Sequence, residues 1–64
     1  MDGIKLLRPD QTADRLNVSK YTVYRLINAG EFTTLKVGGS LRVVESSVDR
    51  YIKKQIEKYF IENE

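Results

Sequence analysis

Lys20, Tyr21, Thr22, Tyr24, Arg25 and Asn28 lie within one short stretch, and together they offer cations, hydroxyls, flat rings and an amide with no acid among them. A solvated segment normally mixes both charge signs, and this one does not. Cations and hydroxyls donate to phosphate oxygens, while an arginine fork or a side-chain amide fits the acceptor pattern of base edges. Arg25 is the strongest base-reading candidate, because its fork matches the O6 and N7 acceptors of guanine. Tyr21 and Asn28 flank it as further base contacts. Lys20, Thr22 and Tyr24 suit the phosphate backbone.

Such a set needs a helix to hold it, and the local sequence predicts one over residues 19–29. Ser19 can accept from the backbone N–H of Tyr21 or Thr22, as a good N-cap does. Val23, Leu26 and Ile27 fall at i, i+3 and i+4 and form a narrow apolar stripe. Gly30 can take the left-handed conformation that ends a helix. A shorter helix is predicted over residues 9–16, with Pro9 at its first position, Asp10 in its first turn, and Ala13 and Leu16 facing inward. Asn17 and Val18 alone separate the two, with Val18 expected to plug the corner. Two short helices across a tight turn are helix-turn-helix geometry, in which the second helix enters the major groove. The alternative is a helical hairpin packed for stability alone.

Beyond Gly30, two β-prone runs flank Gly38 and Gly39, with Ser40 completing the turn, and predict a hairpin over residues 35–44. Alternation places Leu35 and Val37 on one face and Lys36 on the other, with Arg42 the polar member of the second run. The expected hairpin has a bare tip at Gly39 and Ser40 and basic sides at Lys36 and Arg42. Such a wing can lie along phosphates or reach into the minor groove. A flap that only covers the core is the plainer reading, and a hairpin this short needs such support in any case.

Leu6, Leu7, Pro9, Ala13, Leu16, Val18, Ser19, the run Thr22, Val23, Tyr24, Arg25, Leu26, Ile27, then Gly30, Glu31, Val37, Gly38, Gly39, Leu41, Arg42 and Val43 follow in a characteristic order. Over roughly residues 4–52 this order resembles the small excisionase-type winged helix-turn-helix domains, which are related to the DNA-binding domains of MerR regulators. The resemblance implies a mainly α fold with a small β-hairpin. It further implies a double-stranded DNA partner, and either an architectural role beside an integrase site or a small transcription regulator's role. The chain departs from the family pattern at three places. Arg8 stands where the family has Thr or Ser before the proline, so the first helix is expected to start less firmly. Ser40 replaces an arginine at the wing tip. Val44 replaces the proline that opens the last helix, with Ser46 and Asp49 as a substitute capping box.

At 64 residues the chain builds one modest core. It contains no Cys and no His, so disulfides, common zinc-finger ligand sets and His-based triads are excluded. No nucleophile–base pair or Walker-type loop is present, and the chain is expected not to be an enzyme and to need no cofactor. No run of about 18 apolar residues is available for a membrane span. The opening Met1, Asp2 and Gly3 lack the regions of a signal peptide, so a cytoplasmic location is expected. The net charge of +2 is mild, but its distribution is uneven: residues 1–44 hold seven Lys/Arg against four acids, residues 45–64 four against five.

The tail is predicted to be a helix over residues 46–61. Val48, Tyr51, Ile52, Ile56, Tyr59 and Phe60 keep to one side of it, with Asp49 and Lys53 an i,i+4 pair on the other. Val48, Tyr51 and Ile52 suffice to close the core. Ile56, Tyr59, Phe60 and Ile61 then either fold back and become buried, or form an exposed surface for another copy of the chain or a different protein. A protein–protein adaptor reusing the fold is the rival to DNA binding.

Overall fold

The computed structural model describes residues 3–62, and the side chains of residues 3–61. Its elements run β1 (Leu6–Leu7), α1 (Pro9–Leu16), α2 (Lys20–Asn28), β2 (Thr34–Val37), β3 (Ser40–Val44) and α3 (Glu45–Glu62). The three strands form one antiparallel sheet in the order β1-β3-β2. Three helices with a small sheet are the expected winged helix-turn-helix architecture. β1 was not anticipated: two residues are too few to show periodicity, and Leu7 joins the sheet by pairing with Val43.

Arg8 cannot cap α1 with its side chain, since a guanidinium has no acceptor. Gln11 supplies the missing half: its Oε1 accepts from the Arg8 backbone N–H at 2.9 Å, and the buried Thr12 hydroxyl donates back to the Arg8 carbonyl at 3.0 Å. The helix therefore starts more firmly than Arg8 alone suggests. It ends at Asn17, which adopts φ 57°, ψ 47°, while the Val18 N–H reaches the Ala13 carbonyl at 3.0 Å. Asn tolerates this left-handed geometry where most residues do not. The tight turn rests on Asn17, and Val18, expected as a corner plug, is not buried but 39 % exposed.

α2 begins as its sequence predicts, with the Ser19 Oγ accepting from Thr22 N–H at 3.2 Å. Gly30 takes φ 80° at its end, and the N–H groups of Gly30 and Glu31 cap the carbonyls of Ile27 and Leu26. Val23 is fully buried beneath it. The central cluster comprises Phe32, Val43 and Val48, with Leu7, Leu16, Leu26, Ile27, Tyr51 and Ile52 packed around it. The ring of Phe32 meets Tyr51 edge-on, with centroids 5.2 Å apart. Phe32 sits in a connection without periodicity, which left it invisible as a core residue.

The helix α3 starts at Glu45, one residue before the expected position. The proposed box of Ser46 and Asp49 does not form. Ser46 is exposed, and Asp49 ion-pairs with Arg15 rather than with Lys53. Ser47 organises this end instead. Its hydroxyl donates to the Val44 carbonyl at 2.7 Å and accepts from Thr33 N–H at 3.0 Å, joining the helix start to the wing base.

Candidate nucleic-acid interface

Along α2 the side chains separate by the helical period. Val23 is buried, Leu26 and Ile27 are half-buried against the cluster, and Lys20, Tyr21, Tyr24, Arg25 and Asn28 are exposed. Tyr21 is 74 % exposed, far more than a tyrosine needs when its ring serves the core. Thr22 is half-buried, and its hydroxyl lies 3.2 Å from the Ser19 Oγ, so it belongs partly to the N-terminal cap. The remaining five form one continuous polar face.

The wing carries the other four candidates, in an arrangement that differs from expectation. Gly38 and Gly39 both have positive φ, 58° and 83°, and form a two-residue turn. Positive φ at both central positions suits the right-handed twist of the strands, and glycine adopts it at no steric cost. Ser40 is therefore the first residue of β3, opposite Val37, and does not lie at the tip. A three-residue turn through Ser40 would have set Lys36 opposite Arg42. The shorter turn shifts the register by one, pairing Lys36 with Leu41 and Arg42 with Leu35. Directly opposed residues share a face, so a one-residue shift reverses the sides. Lys36 and Arg42 thus project from opposite faces of the wing. Val43 is buried, which identifies the Lys36 face as the one continuous with the core. Leu35 and Val37 share a face opposite Lys36 as expected, but it is the outer face, which they occupy with Arg42, and both are exposed.

Two of the arginines have acid partners. Arg8 donates from Nε to Asp10 at 3.1 Å, and this hydrogen bond holds the Asp10 carboxyl below the ordinary carboxylate range and raises the guanidinium above its own. Arg15 binds Asp49 through Nε at 3.2 Å and Glu45 at 3.6 Å; its pKa is raised, first by the hydrogen bond to Asp49. Lys20, Arg25, Lys36 and Arg42 have no acid partner among the described residues. Arg42 instead donates from Nη1 to the Leu41 carbonyl at 2.9 Å. Arg8 and Arg15 are thus neutralised, while the four cations of α2 and the wing remain available to an anion, as do Lys5, Arg50, Lys53, Lys54 and Lys58 elsewhere.

Residues 6–56 match the family model of the helix-turn-helix domain. No curated protein and no solved structure matches the chain significantly. The matched span takes in both helices of the motif, the whole sheet and the core-closing part of α3, so the chain belongs to this excisionase-type helix-turn-helix family, a DNA-binding class that is typically non-enzymatic.

Proposed function

We propose that this chain is a sequence-specific double-stranded DNA-binding protein that reads the major groove with α2 and grips phosphates with α2 and the wing. The observation that carries this reading is the exposed face of α2, where Lys20, Tyr21, Tyr24, Arg25 and Asn28 lie together with no acid among them, and where no acid among the described residues pairs with Lys20 or Arg25. Arg25 reads a guanine edge, with Tyr21 and Asn28 beside it on neighbouring bases or thymine methyls. Lys20, Tyr24, the Thr22 hydroxyl, Lys36, Arg42 and the backbone at Gly39 and Ser40 set orientation against phosphate. Each lost cation of this set should lower the slope of log affinity against log salt by about one unit. Titrating a labelled duplex at several salt concentrations measures that slope. An affinity that does not vary with salt would contradict the reading.

The biological role proposed is that of an excisionase-like architectural factor of a mobile element, acting in the cytoplasm on DNA shared with an integrase. A domain of this size covers little DNA alone, so tight binding calls for several copies side by side. Footprinting and circular-permutation gel shifts on the host element test this role. Protection over repeated sites with a bend is expected. A single unbent site overlapping a promoter would assign the chain to transcription regulation instead. The exposed end of α3, with Ile56, Tyr59, Phe60 and Ile61, is the protein-contact surface in either role.

A further inference from the structure

Of the two tyrosines on α2, Tyr21 is by far the more exposed, at 74 % against 45 % for Tyr24. Its ring and hydroxyl make no hydrogen bond or ring contact among the described residues, so nothing in the fold uses this side chain. It stands in the first turn of α2, four residues before Arg25, and both are exposed. Residues four apart on a helix are neighbours on one face. On a recognition helix the N-terminal residues meet base edges, and in zinc fingers side chains about one turn apart contact successive bases. Tyr21 and Arg25 therefore reach adjacent base pairs when α2 lies in the major groove.

We propose that Tyr21 is a specificity-determining residue that recognises a pyrimidine carrying a C5-methyl group in a base pair beside the guanine read by Arg25. The edge of a phenol ring is apolar, and the C5-methyl of thymine is the apolar group that a base pair presents in the major groove. 5-Methylcytosine carries the same methyl on the same ring carbon. A ring packed on that group accepts thymine and 5-methylcytosine alike and disfavours unmodified cytosine. Sites with cytosine at this position therefore respond to methylation of the DNA.

A contact from the Tyr21 hydroxyl to phosphate would use only the tip of the side chain and leave its ring in water. Lys20, next to it, carries the charge that phosphate prefers. The methyl contact instead gives the ring an apolar partner, which is where most of a tyrosine's buried area lies. This recognition rests on the DNA-binding reading, and on Arg25 beside a guanine in particular. Its own signature is dependence on one methyl group, which phosphate contacts and the arginine fork do not share.

The experiment takes duplexes that wild type enriches from an unmethylated random-sequence pool and measures their affinity by fluorescence anisotropy. The enriched motif should place a thymine in a base pair flanking the fixed guanine. Replacing that thymine by deoxyuridine, which pairs alike and lacks only the methyl, should weaken binding about fourfold. A duplex with 5-methylcytosine at the same position should bind about fourfold more tightly than one with cytosine. Tyr21→Phe keeps the ring and should keep both ratios, whereas Tyr21→Ala should bring them near unity. Each variant alters an exposed side chain, and a circular-dichroism melt confirms that it is folded. A fixed guanine with no thymine beside it overturns the proposal and leaves the DNA-binding reading standing. So does a wild type indifferent to deoxyuridine, or a ratio that survives Tyr21→Ala. Ratios lost in Tyr21→Phe overturn it too, because the hydroxyl and not the ring would then carry the contact. A pool that yields no motif overturns both.

Discussion

A single hydroxyl, that of Ser47, ties the wing to the last helix. It donates to Val44 and accepts from Thr33, in a side chain only 4 % exposed. Ser47→Ala strands the Thr33 N–H at the wing base, which should cost about 1–3 kcal/mol. For a domain of this length that corresponds to a fall in Tm of roughly 5–15 °C. Calorimetry or a circular-dichroism melt measures it, and an unchanged Tm would remove Ser47 from this role. Nothing in the sequence distinguishes Ser47 from Ser46, because its value depends on Thr33, which is distant along the chain. Ser19 was legible for the opposite reason: its partner Thr22 is three residues away, inside the motif that capping chemistry prescribes. Asn17 falls between these cases. Asn commonly enters the left-handed region, but only the spacing of two helices makes a turn there obligatory.

At the scale of elements, the helices were readable and the strand register was not. α1 and α2 carry caps and a 3.6-residue apolar stripe, so their bounds agree with expectation to within a residue. The wing was legible as a hairpin from Gly38 and Gly39, but its register hangs on whether Ser40 belongs to the loop. One residue decides which faces Lys36 and Arg42 occupy. The helix α3 divides into a buried beginning and an exposed end, and this division predicts that the end is dispensable for folding. Truncation after Lys54 keeps Val48, Tyr51 and Ile52 and should change Tm by no more than a few degrees. The same truncation removes Ile56, Tyr59, Phe60 and Ile61, and cooperative binding to adjacent DNA sites should be lost with them. A thermal melt of the truncated chain tests the first part. Loss of the folding transition would show that the tail is core after all.

For the whole molecule, the informative quantity is where charge remains available after internal pairing. A net charge of +2 says little. Asp10, Glu45 and Asp49 bind Arg8 and Arg15; the other cations have no acid partner among the described residues, and those of α2 are set apart by sharing an exposed face that carries no acid. The sequence supplied the candidate residues, because an acid-free polar face on a short helix is unusual. It could not supply the pairing of Arg15, whose partners lie at the start of α3, some thirty residues away. Binding through phosphates alone would be electrostatic and indifferent to sequence, so the central claim rests on base reading by Arg25. The most direct measurement is selection of bound duplexes from a random-sequence pool at moderate salt, run in parallel with wild type and a folded Arg25→Ala variant. Wild type should enrich a short motif containing a fixed guanine, and the variant should relax preference at that position while losing about 1–3 kcal/mol on the selected site. An unenriched pool with wild type, or the same motif bound equally well by Arg25→Ala, would contradict it.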